Sequence, residues 1–66
     1  MKYNIYITRE SNEFLIDNGT FDKRTLKSFY QWMKKKKAII DKFDYEESRE
    51  YIACDNGVGY TLRIIK

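Results

Sequence analysis

The chain has no histidine, no proline, one cysteine and three glycines in 66 residues. Each shortage removes a class of chemistry. Without histidine, the usual general base near neutral pH is missing, and so are the common Cys/His zinc sets. A single cysteine, Cys54, cannot form an intrachain disulfide. The lack of cysteine pairs fits a reducing compartment, so a cytoplasmic location is expected. The three glycines form neither a GxGxxG nor a Walker pattern, so no nucleotide-phosphate loop is present. Paired carboxylates occur at Glu46-Glu47 and at Asp41 and Asp44, but in or beside a predicted turn rather than a cleft. Cys54 stands beside Asp55, whose charge makes it a poor nucleophile. It is expected to be a small buried hydrophobe. The expectation is no catalytic residue, no metal site and no cofactor: a protein that is not an enzyme.

Long apolar runs are also missing. Residues 1–8, Met-Lys-Tyr-Asn-Ile-Tyr-Ile-Thr, alternate in polarity. They read as neither a signal peptide nor a membrane span, and no membrane association is expected. The length suits one domain over residues 1–66. A chain this short buries a small fraction of its surface and usually needs a staple, a dense core or self-association. Disulfide and metal staples are absent, so a homodimer is an alternative to a dense core. Eleven aromatics, four Phe, six Tyr and one Trp, supply unusual apolar area for that core.

What is present reads as alternating strands around one helix. Residues 2–8 place Tyr3, Ile5 and Ile7 on one face, the period of a strand. Arg9-Glu10-Ser11-Asn12 is a polar turn, and residues 13–17 carry Phe14-Leu15-Ile16 as a second strand. Asn18-Gly19 offers the positive φ angles of a tight turn. Leu26, Phe29, Tyr30 and Met33 follow the i, i+3, i+4, i+7 rule of an amphipathic helix. Thr20 or Asp22 is placed to cap it, and it is expected to end near Lys36 or Lys37. Residues 38–45 alternate imperfectly, with Ile39, Phe43 and Tyr45 at period two. Residues 49–54 form a strand, Asp55-Asn56-Gly57 the strongest hairpin signal, and residues 58–65 the last strand, with Tyr60, Leu62 and Ile64 on one face. The fold class is therefore α+β: a small antiparallel sheet in β-β-α-β-β-β order, with one amphipathic basic helix packed on one face. That order and its turns are too generic to single out a family. Glu10-Ser11-x-Glu13-Phe14-Leu15, then Asp17-Asn18-Gly19, echoes Glu47-Ser48-x-Glu50-Tyr51-Ile52, then Asp55-Asn56-Gly57. With one residue inserted in the second copy, the echo reads either as a duplicated turn-strand-turn unit or as shared turn chemistry, which similar hairpins need.

Charge is distributed unevenly. Residues 23–37 hold seven Lys/Arg and no acid, while the rest holds six basic and ten acidic residues. At about 100° per residue, Lys23, Arg24, Lys27, Gln31, Lys34 and Lys35 share one arc away from the apolar stripe. Such an arc neutralises phosphates on nucleic acid or meets an acidic protein surface. A solvated helix face explains lysine there, but not the lack of Glu partners that would stabilise the helix further. Trp32 flanks the stripe on the other side, as core or as an interface anchor. One helix covers only one face of a sheet. Tyr6, Thr61 and Arg63 fall on the opposite face, which must curl up or meet a second subunit or partner.

Composition also bears on origin. Residues with AT-rich codons (Phe, Tyr, Met, Ile, Asn and Lys) make up half of the chain. Small proteins of this kind are common in low-GC bacteria and their phages. The expected function is a non-enzymatic binding module, a viral or bacterial regulator or inhibitor acting on a protein partner such as a host factor. The alternative is nucleic-acid binding through the helix of residues 23–37. The acidic hairpin of residues 41–50 would repel a duplex unless it points away. The Gly-aromatic signature of RNA-recognition sheets is absent.

Overall fold

The computed structural model describes all of residues 1–66. Its elements follow the expected order: β1 (Lys2–Arg9), β2 (Asn12–Thr20), α1 (Lys23–Lys35), β3 (Ile40–Asp44), β4 (Ser48–Asp55) and β5 (Val58–Ile65). The strands form one antiparallel sheet in the order β2-β1-β5-β4-β3. β5 is central because its Tyr60, Leu62 and Ile64 are large and apolar at period two. Register then sets Ile5 beside Leu62 and Leu62 beside Tyr51, with Ile7, Tyr60 and Ala53 in the next row. Ile5, Tyr51, Ala53, Tyr60, Leu62 and Ile64 with Phe29 and Met33 of α1 are the core, Ile7 packs against it, and Leu62 and Met33 are fully out of water.

α1 starts at Asp22, whose carboxylate accepts from the Thr25 backbone N–H at 3.0 Å while the Asp22 N–H donates back to Thr25 Oγ1. This is a capping box with Thr in place of the usual Glu. The helix stops at a Schellman motif. Ala38 N–H donates to the Met33 carbonyl and Lys37 N–H to that of Lys34, with Lys37 in the left-handed region at φ 56°.

The expected apolar stripe needs one change. Tyr30 lies at the rim, its ring edge-on to Tyr51, while Trp32 packs edge-on to Tyr60 and Phe29. The helix is rolled so that Phe29 and Met33 face the sheet, Trp32 faces β5 and Tyr30 faces β4. Lys36 extends over the rings of Tyr60 and Trp32, closing the core at that end.

Two further expectations are corrected. Asn18-Gly19 is not a turn; both residues continue β2, opposite Asn4 and Tyr3. Pairing with β1 runs to Thr20, and a Cβ on Gly19 would stand 3.3 Å from the Tyr3 ring, so the glycine admits that ring instead of turning the chain. The echo between residues 10–19 and 47–57 therefore ends there, because Asn56-Gly57 does turn, at φ 50° and 76°. The β1–β2 turn is made by Glu10 and Ser11, both at positive φ without glycine. Cys54 is exposed rather than buried. It sits one position beyond Ala53 and so points to the face that α1 does not cover.

Candidate binding surfaces

Strand alternation and the single helix leave three surfaces: the outer side of α1, the open face of the sheet, and the sheet edges. Lys23, Arg24, Lys27, Gln31, Lys34 and Lys35 are all exposed on α1. Arg24 alone among them meets an acid, Asp22 at 3.5 Å, and that pair stands in water. With Lys36 folded over aromatic rings, Lys23, Lys27, Lys34, Lys35 and Lys37 are left without a carboxylate partner.

Lys27, Gln31 and Lys34 converge with Tyr30, Lys37 and Ile40 on a groove of about 780 Å³ between α1 and β3. Sequence reasoning placed Tyr30 in the core stripe and left Lys37 outside the site. The half-exposed Tyr30 ring (44 % exposed) is the one aromatic among the three lysines. Its flank position depends on the roll of α1, which helical periodicity does not report. Trp32 divides two smaller hollows, one with Ser28, Lys34 and Lys35, the other with Tyr3, Asp17 and Arg24. Lys23 lines none of these.

Two acids of the β3–β4 hairpin, Asp41 and Asp44, are turned aside or neutralised, while Glu46 and Glu47 in its turn stay exposed. Asp41 alternates to the open face, opposite Ile52. Asp44 accepts hydrogen bonds from Lys66 Nζ and Arg49 Nη2, and those bonds hold its carboxyl below the usual range. Lys66 also donates to the Tyr45 carbonyl at 2.7 Å, tying the chain end to this hairpin.

On the open face, Tyr6 and Thr61 are direct cross-strand partners. The Arg63 guanidinium stands 5.0 Å from the Tyr6 ring centre, and its Nε donates to Glu50. That bond raises the Arg63 pKa. All four side chains are half-buried. Within the chain, Arg63 and Glu50 lie along this face and cover part of its middle.

The edges differ. β2 is exposed at every position, including Phe14, Leu15 and Ile16. Tyr3 Oη donates to Asp17 on this strand at 3.0 Å, which raises the Tyr3 pKa. No group of three or more His, Cys, Asp or Glu is placed to hold a metal. No helix is long and apolar enough to cross a membrane. Comparison with protein-family models, with curated proteins and with solved structures finds no match to this chain.

Proposed function

We propose that the chain is a non-enzymatic binding module acting by protein–protein contact, in the manner of a small regulator or inhibitor. The observation that carries this reading is the amount of large apolar side chain left in water away from α1. Phe14, Leu15 and Ile16 are exposed on β2, and Ile39, Phe43 and Tyr45 in and around β3. Phosphate recognition has no use for such surface, whereas a protein partner gains by desolvating it. The unpaired lysines of α1 then steer an acidic partner and set orientation. The test is capture from a low-GC bacterial lysate with its nucleic acid left intact. A protein retained in fixed ratio supports the reading, and retention of nucleic acid alone refutes it.

A second reading, nucleic-acid binding, is favoured by one feature. Lys37 holds a left-handed position that suits glycine, yet it is a lysine lining the groove beside Tyr30. Three cations around an exposed ring is a pattern that single strands bind. Binding of a labelled single-stranded oligonucleotide would fall steeply with salt. It would be lost in the variant Lys27→Glu/Lys34→Glu/Lys35→Glu, and unchanged binding in that variant removes this reading.

A further inference from the structure

We infer that the outer edge of β2 is a strand-addition site for an extended, apolar segment of a partner protein that carries Lys or Arg. The inference rests on the protein-contact reading and names where that contact is made.

The two edges of the sheet are built differently. β3 is five residues long and carries Asp41, Lys42 and Asp44, so charge interrupts it throughout. Short, charged edges are the ordinary defence against strand pairing. β2 is nine residues long, with no Lys, Arg or Pro. Its centre is three consecutive apolar residues, Phe14, Leu15 and Ile16, which are 54 %, 52 % and 47 % exposed. β2 pairs only with β1, and none of the backbone hydrogen bonds outside the helix and ladders involves residues 12–20. Phe14 lies opposite Ile7 and Leu15 opposite Tyr6, so an added strand would find an apolar neighbour on each face. The register shifts between Ile5 and Tyr6, leaving Ile16 as an extra residue in β2. This bulge divides the edge into residues 12–15 and 17–20, so the site suits a short segment rather than a long sheet.

Charge selects the occupant. Glu10, Glu13 and Asp17 flank the apolar centre, with no cation between residues 10 and 20. A second copy of β2 is a poor match: it would bring a second set of Glu10, Glu13 and Asp17 to an edge that holds no cation to meet them. A segment alternating apolar and basic residues satisfies both the backbone and the acids.

The probes are a short alternating Lys/Val peptide and its Glu/Val counterpart, added to the full chain and followed by NMR shifts and amide exchange. The Lys/Val peptide is expected to bind, shifting and protecting β2 amides, with the Glu/Val peptide at least about tenfold weaker. Leu15→Lys, which restores an edge guard at an exposed position, should abolish binding with the rest of the spectrum unchanged. Glu13→Lys should move the preference towards the Glu/Val peptide. Equal binding of both peptides, shifts confined to α1, or full binding by Leu15→Lys would overturn the site. Protection of β2 that grows with protein concentration alone would also overturn it, in favour of a second copy. If Leu15→Lys still captures the wild-type protein partner from lysate, strand addition fails while the protein-contact reading stands. If neither protein captures one, that reading fails as well.

Discussion

Leu62 is surrounded on the helix side of the sheet by Ile5, Tyr51 and the side chains of Phe29 and Met33, and it has no solvent contact. Truncating it removes apolar contact and leaves a cavity that close neighbours on three strands cannot easily fill. Leu62→Ala is expected to cost about 2–5 kcal/mol in urea unfolding. A chain of this size has a total stability of roughly 3–10 kcal/mol, so a good part of it would be lost. Exposed positions should behave differently. Cys54 is predicted to react with a thiol reagent in the native protein as completely as in urea. Protection in the native state would place it back in the core.

At the scale of elements, two local devices give measurable expectations. Lys37 sits at φ 56° in the Schellman motif that ends α1, where a side chain is strained and glycine is not. Lys37→Gly should therefore stabilise the fold by about 0.5–1 kcal/mol, read from the urea midpoint. If Lys37 belongs to a nucleic-acid groove, the same change should weaken oligonucleotide binding. The second device is the hairpin lock at Asp44. Lys66 and Arg49 hold its folded-state pKa below that of the unfolded chain. Its contribution is thus fully present above the ordinary carboxylate range. It is lost as pH falls from about 4 downward, because the unfolded chain takes up the proton first. Asp22, held low chiefly by the Thr25 N–H, acts in the same direction. Asp44→Asn should flatten the acid limb of the stability profile, and an unchanged limb would show that the bonds to Lys66 and Arg49 contribute nothing. α1 itself was plain in the sequence, since its period, its candidate caps at Thr20 and Asp22 and its cations all lie within one short segment, and the structure selects Asp22. The roll that exposes Tyr30 and tucks in Trp32 was not, because it answers to Tyr51 and Tyr60 on distant strands.

For the molecule as a whole, eight buried residues form one cluster shared by α1 and three strands. Every member packs into this one cluster and no second core exists to melt separately, so unfolding should be a single cooperative transition. Its enthalpy should be about 45 kcal/mol if it melts near 60 °C. Two resolved calorimetric transitions would contradict the single core. Polarity is also a property of the whole. The cations of α1 lie on one side, while Glu10, Glu13 and Asp17 gather along β2. The molecule therefore presents two surfaces of opposite sign, and salt should affect them separately. Reversing Lys27, Lys34 and Lys35 to Glu should alter contacts made through α1 and leave peptide binding at β2 in place. Simultaneous loss of both would mean that the two surfaces are coupled.

Element order, the helix and its cap, the last hairpin and the core face of β5 could all be read from the sequence. Each is decided by neighbours a few residues away: period two, period 3.6, an acceptor before the first turn, Asn-Gly at positive φ. Tertiary structure alone decided what Asn18-Gly19 does, because a strand partner overrode turn propensity and Tyr3 needed the space above Gly19. It decided that Cys54 faces water, that Arg63 and Glu50 lie over the open face, and that β2 is an edge while β5 is central. Strand order and register are set by contacts between residues far apart in the chain. The sequence named Phe14, Leu15 and Ile16 as a strand; only the fold left that strand without a neighbour.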